Sequence, residues 1–264
     1  MDLGLSGKVA VVMAGSRGLG KASARLLAEE GADLAICSRD PAKVAAAAAE
    51  IAAATGRRVL HEALDVTRPE AIIAFAARVG RELGRVDVLV NNGGGPPPGT
   101  FDQLDDTAFA RATELVLLNA VRTTKAFLPL LRAHGQGGRI ITITSAGARE
   151  PLPNMILSNA LRPAIHGWTK TLAKELGPER ITVNCVAPGI VGTERIDELV
   201  ANNAGRQGRS EAQIRAEMIA RIPAGRFGRP EEFAAAVTFL ASARASFISG
   251  TTIYVDGAQM VSTV

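Results

Sequence analysis

The feature that most narrows the folds open to this chain is the alternation of short, β-branched apolar runs with longer amphipathic stretches. Seven runs read as strands: 8–13, 33–37, 59–64, 86–90, 138–144, 181–186 and 251–255. Helical spacing of apolar side chains falls between them, over residues 18–31, 41–55, 69–84, 104–134, 157–177 and 230–242. Strands separated by helix-length crossovers pair in parallel, and a parallel sheet must be covered on both faces. The expectation is an α/β fold: a doubly wound parallel sheet of seven strands in three α/β/α layers, within a single domain over 1–264. Two connections are long, the glycine- and proline-rich stretch 93–99 and a segment from about 190 to 229.

Composition supports this reading and removes others. A 264-residue chain that is 47% hydrophobic can bury one substantial core. Its 30 Lys and Arg against 26 Asp and Glu are scattered, with no basic run of the kind that binds nucleic acid. No apolar run approaches the roughly 18 residues that span a bilayer, and Met1-Asp2-Leu3-Gly4 lacks the regions of a signal peptide. The expected setting is cytoplasmic, with neither membrane nor nucleic acid as partner. Cys37 and Cys185 form no disulfide framework and no metal spacing, so buried thiols and no metal site are expected.

Ala14-Gly15-Ser16-Arg17-Gly18-Leu19-Gly20 joins the first strand to the helix that begins at about Lys21. Glycines at such a junction let the backbone approach a pyrophosphate, while the free N–H groups of the helix favour the anion. The second strand ends in Ser38-Arg39-Asp40. An acidic residue there accepts from an adenosine ribose and favours NAD(H), whereas an arginine pairs with a 2′-phosphate. Ser38 and Arg39, with Arg17 as a second cation, favour NADP(H) over NAD(H). The competing reading pairs Arg39 with Asp40 on the surface.

Further segments carry a family resemblance: Asp65-Val66 after the third strand, Asn91-Asn92-Gly93 after the fourth, Asn119, Ser145, Pro188-Gly189 with Thr193, and the closing Gly250 to Gly257. Over nearly its full length the chain resembles the short-chain dehydrogenase/reductase family, most of all its 3-oxoacyl-acyl-carrier-protein reductase branch. The resemblance implies a Rossmann-type fold and an adenine contact at Asp65 and Val66. It implies nicotinamide-side contacts at Asn91, Asn92, Gly93, Pro188, Gly189 and Thr193, and a homotetramer or homodimer. The family's three turn glycines fall on Ala14, Gly18 and Gly20, so the first is replaced. An alanine suits that position only where the turn needs no positive φ.

The catalytic half departs further. Ser145 matches the family's carbonyl-orienting serine, but Ser158 stands where its tyrosine is expected and Arg162 where its lysine is expected. An aliphatic hydroxyl is a far weaker acid than a phenol of pKa about 10, and it is shorter in reach. The guanidinium of Arg162 could still hold a cofactor ribose hydroxyl or polarise an oxygen, but it does not shuttle protons as an ammonium does. Pro163 predicts a late start or a kink in the helix at this place. His166, Glu150 and Asn159 are the other candidates for the proton, each with an ordinary packing or capping role as the alternative. Tyr254, the single tyrosine, lies in the last strand and is expected at a subunit contact rather than in the site.

The expected function is therefore an NADP(H)-dependent oxidoreductase that reduces a carbonyl or oxidises an alcohol, through an atypical Ser145/Ser158/Arg162 site with Asn119 holding water. A small-molecule or acyl-thioester carbonyl would be the substrate. Two alternatives stay open: a catalytically silent NADP(H) sensor or partner subunit, and a lyase or isomerase acting on a carbonyl compound. By resemblance, residues 190–229 form a flap over the substrate; Asn202-Asn203-Ala204-Gly205 is expected to break it into two helical stretches. Its arginines suit an anionic substrate or carrier, and a solvated helix face explains them equally.

Overall fold

The computed structural model describes residues 1–262; positions 263 and 264, the end of the expected domain, lie outside the described residues. Strands β1 (Val9–Val12), β2 (Asp33–Ser38), β3 (Val59–Ala63), β4 (Val88–Asn91), β5 (Gly138–Ile143), β6 (Ile181–Pro188) and β7 (Thr252–Val255) form one sheet. All neighbours are parallel, in the order β3-β2-β1-β4-β5-β6-β7. The winding reverses between β1 and β4. This is the Rossmann-type doubly wound arrangement, and the reversal opens a crevice at the carboxyl ends of those strands.

The helices are α1 (Gly18–Glu29), α2 (Pro41–Thr55), α3 (Pro69–Leu83), α4 (Asp106–Thr113), α5 (Asn119–Arg132), α6 (Ile156–Leu176), α7 (Glu194–Gln207), α8 (Glu211–Ala220) and α9 (Pro230–Ala241). Successive strand residues point to opposite faces, so Val12 and Ile36 meet Leu27, Ile51 and Phe233 of α1, α2 and α9. Val11 and Leu89 meet Phe75, Phe127 and Leu176 of α3, α5 and α6 on the other face. Each such side chain contributes about 1.5–3 kcal/mol by leaving water. Proline at the first helical position starts α2, α3 and α9, and left-handed Gly56 and Gly84 stop α2 and α3.

Three expectations change. The single helix expected over 104–134 is divided into α4, a π-helical turn at Glu114–Leu118, and α5. A π turn inserts a residue and rotates the downstream helix by about 100°. Asn119 thereby faces the strand ends. Second, α6 runs unbroken through Pro163 and starts at Ile156, neither late nor interrupted. The exposed proline ring is accommodated on the solvent side. Third, α7 continues through Asn202 to Gly205 and ends instead at Gly208, whose φ is +61°, before a Ser210/Gln213 capping box opens α8.

Among the described residues no helix is long and apolar enough to cross a membrane, and no cluster of His, Cys, Asp and Glu is suited to a metal ion. Cys37 and Cys185 are buried free thiols, and burial pushes them up to about 12 and about 11.

Candidate active site

All strands end at one edge, so the turns after β1, β2, β4, β5 and β6 converge above the crevice. The first turn is pinned to the sheet by Gly15 N–H donating to the Cys37 carbonyl at 2.8 Å. Ala14 has φ +48°. The turn therefore requires the left-handed conformation after all, and alanine adopts it at a cost of about 1–2 kcal/mol. A Cβ on Gly20 would lie 2.4 Å from the Ala14 carbonyl oxygen and 2.9 Å from Asn92 Nδ2, so only glycine lets α1 approach this closely. Leu19 packs into the core while Ser16 and Arg17 stay at the surface. The first turn of α1 carries no acidic side chain of its own, and Glu194 Oε2 of α7 lies 3.8 Å from where a Cβ on Gly18 would stand.

At the end of β2 the residues divide their work. Asp40 caps α2, accepting from Lys43 N at 3.0 Å, and forms an ion pair with Lys43 at 3.6 Å. These contacts hold its carboxyl below the usual range. Ser38 is buried and donates to the Asp40 carbonyl. Arg39 is exposed and has no ion-pair partner among the described residues, so the surface pairing with Asp40 does not form. Arg17 meets Glu198 of α7 at 3.2 Å. After β3, Asp65 accepts from both the amide and the hydroxyl of Thr67, and Val66 is buried.

The asparagines after β4 take different roles. Asn91 is 1% exposed, and its amide donates to Thr124 and Thr142 at 3.0 and 3.4 Å. Its side chain ties β4 to α5 and β5 from within rather than facing the crevice. Asn92 Nδ2 reaches the Ala14 carbonyl at 3.4 Å, and its Oδ1 accepts from Gly94 N at 3.4 Å, joining the glycine turn to the 93–99 loop. Asn119 accepts from Thr123 and donates to the Asn92 carbonyl. Gly93 leaves room for it, because a Cβ there would lie 2.4 Å from Asn119 Nδ2.

Ser145 comes directly after β5 and Thr144. Its Oγ accepts from Gly147 N at 3.1 Å, which leaves the hydroxyl proton free to donate. Ser158 and Arg162, one helical turn apart on α6, are 4% and 9% exposed. Ser158 makes no hydrogen bond among the described residues. Arg162 donates through Nη1 to the Ile143 carbonyl at 2.7 Å and through Nη2 to the Gly94 carbonyl at 2.9 Å, while its Nε has no partner. No carboxylate lies within ion-pair distance of it among the described residues. Burial pulls the guanidinium down to about 10, still charged at neutral pH. The two backbone carbonyls it meets carried no signal in the sequence beyond the glycine run itself.

The other proton candidates are occupied. Glu150 accepts from Val261 N at 2.9 Å and from Ser262 N, while Asn159 exchanges hydrogen bonds with both backbone groups of Leu152. His166 Nε2 lies 3.3 Å from Thr144 Oγ1, and burial with the Arg162 charge holds its imidazole below the ordinary range. Tyr254 pairs with Ala187 across β6 and β7, with the Arg149 guanidinium 5.4 Å above its ring. After β6, Gly189 N donates to the Val255 carbonyl, and Thr193 lies over Gly18, 3.6 Å from where its Cβ would stand. In the 190–229 segment, Arg195, Arg209, Arg215, Arg226 and Arg229 each meet a carboxylate, as on a solvated helix face.

Residues 13–258 match the family model described as "Enoyl-(Acyl carrier protein) reductase". The chain is 35% identical to the 3-oxoacyl-[acyl-carrier-protein] reductase of Vibrio cholerae, over 97% of this chain and 98% of that one. It is 32% identical to the NADPH-dependent reductase BacG of Bacillus subtilis, over 98% and 100% of the two chains. L-sorbose reductase from Gluconobacter frateurii, solved with NADPH and L-sorbose, superposes with a TM-score of 0.95 at 34% identity, covering 99% of this chain and 100% of that one. Parallel sheet, crevice, glycine turn and full-length similarity agree: the chain belongs to the short-chain dehydrogenase/reductase family of oxidoreductases.

Proposed function

We propose that this protein is an NADP(H)-dependent oxidoreductase that interconverts a carbonyl and an alcohol on a small molecule or an acyl thioester. The observation that carries the cofactor choice is the division of labour after β2. Asp40 is occupied as a helix cap, while Arg39 stands exposed beside Ser38 with no ion pair among the described residues. That arrangement suits a 2′-phosphate and offers a ribose diol no free carboxylate. The Gly20 close approach and the N–H groups at the start of α1 fit the pyrophosphate. Asp65 and Val66 would face the adenine, with Gly15, Ser16, Arg17, Gly18 and Leu19 around the phosphates. Asn92, Gly93, Pro188, Gly189 and Thr193 would surround the nicotinamide end.

When bound, the reduced cofactor supplies the hydride. The chain's own residues then manage the oxygen. Ser145, its Oγ fixed by Gly147, donates a hydrogen bond to the substrate oxygen and orients the carbonyl while keeping its own proton. The buried charge of Arg162 stabilises negative charge developing on that oxygen, an effect that burial strengthens. Ser158 is too weak an acid to deliver a proton alone, so it passes one from water, and Asn119 holds that water at the strand end. Relatives acting on L-sorbose and on 3-oxoacyl carrier proteins frame the substrate panel.

Thermal-shift titration with NADPH and NADH tests the cofactor, with turnover then measured on sugars, β-keto esters, acyl thioesters and quinones. At one hundred times Kd a ligand stabilises by about 2.7 kcal/mol, a shift of about 5–10 °C. NADPH is expected to give that shift at lower concentration than NADH, and Arg39→Ala to weaken NADPH about tenfold while leaving NADH unchanged. Binding without turnover of any panel member would favour the silent sensor, which the replacement of a phenol by Ser158 makes the second reading. No shift with either nucleotide would overturn the proposal.

A further inference from the structure

The guanidinium of Arg162 joins two elements. One is the end of β5, through the Ile143 carbonyl, and the other is the 93–99 loop, through the Gly94 carbonyl. The loop is also held at each end. Gly94 N donates to Asn92 Oδ1, and Gly99 N donates to the Asn154 carbonyl at 2.7 Å beside a bridge from Gly99 to Met155, next to the start of α6. Between these points Pro96, Pro97 and Pro98 have fixed φ and no N–H to offer. Gly94 has φ +82°, a conformation that side-chain-bearing residues rarely adopt.

We infer that Arg162 is a positioning residue: it straps the Gly93–Gly99 loop to strand β5, making the loop a fixed wall of the substrate cavity instead of a mobile lid. A planar fork serves two carbonyls on separate elements at once, which a lysine ammonium on a flexible stem does not do with fixed geometry. This explains the residue type at 162 by an acceptor pair rather than by an acid partner. The strap also orients the cation, because both Nη groups are committed and the charge stays at the mouth of β5. The wall's place beside the substrate rests on the reductase reading above; the strap itself does not.

Hydrogen–deuterium exchange of the ligand-free protein, monitored on peptides covering residues 93–104, tests the strap directly. Arg162→Lys is expected to speed exchange at the Gly94, Gly95, Gly99 and Thr100 amides about tenfold, the loss of about one charge-assisted hydrogen bond, with other peptides unchanged. Gly94→Ala attacks the same strap from the loop side. Its Cβ meets nothing within 4 Å, so only backbone strain is introduced and the fold is kept. It is expected to speed the same amides, and the double variant to exchange no faster than Arg162→Lys alone. The NADPH dissociation constant of Arg162→Lys is expected to stay within about twofold of the parent, as for a residue whose donors are committed to backbone. Unchanged loop exchange in Gly94→Ala, or tenfold weaker NADPH binding by Arg162→Lys with unchanged loop exchange, would overturn the inference. Should Arg162→Lys not fold, the Gly94→Ala result still decides it. Failure of the parent to bind NADPH would count against the reductase reading and leave the exchange result to stand alone.

Discussion

At the scale of single residues, Ala14 and Gly20 show how close the nucleotide turn is to its steric limits. Ala14 holds φ +48° without the freedom of glycine. Ala14→Gly is expected to stabilise the chain by about 1 kcal/mol, raising Tm by about 2–4 °C in a melting experiment. Gly20→Ala should act the other way. Its Cβ would press on the Ala14 carbonyl at 2.4 Å, which is backbone and cannot turn aside. NADPH titration of that variant is expected to show binding weakened at least tenfold, about 1.4 kcal/mol or more. Both residues were legible as a glycine turn, and the displaced first glycine was legible too. The sign of φ at Ala14 was not, because a residue type limits a dihedral without setting it. The substitution of Ser158 and Arg162 was equally plain in the sequence, whereas the carbonyls that Arg162 meets come from residues 19 and 68 positions away.

At the scale of elements, α6 and the α4–α5 segment are opposite cases. Pro163 removes the N–H that would bond to the Asn159 carbonyl, yet α6 remains continuous because its inner face is locked by Leu157, Ile165 and Thr169. Tertiary packing overrides the local preference. Pro163→Ala, at an exposed position, restores the missing bond and is expected to add about 1–3 kcal/mol in urea unfolding, without altering the slope against denaturant. The α4–α5 segment fails in the other sense. Its periodicity is compatible with one helix, and the π turn at Glu114–Leu118 arises where Asn119 must lie against Gly93 and Asn92. Such an insertion has no residue signature of its own.

At the scale of the whole molecule, the acid response arises from buried and paired groups. The folded state holds His166 below its ordinary value of 6.5, so the unfolded chain takes up a proton first as pH falls. Stability is then lost as pH drops through 6.5, and His166→Gln is expected to flatten that part of the profile in urea unfolding between about pH 8 and about pH 5. A second window lies lower. Glu232, bonded by Arg226 and Arg229, is lowered from 4.5 to about 2, so its contribution is complete above 4.5 and disappears as pH falls to about 2. Along the chain, period and glycine placement were enough for the class of fold, the succession of strands and the nucleotide turn, and the family resemblance pointed to Ser145, Ser158 and Arg162 as the site. Period and glycine placement are local properties of the chain, and the site residues were legible only through the resemblance. Folding settled that Asp40 caps α2 while Arg39 has no ion-pair partner among the described residues. It alone decided that Asn91 turns inward, that Asn119 is delivered by a π turn, and that Arg162 bridges a strand to a distant loop. Apart from the Asp40 cap, which meets Lys43 three residues on, these are choices among hydrogen-bond partners remote in sequence, and the sheet must exist before they can be made.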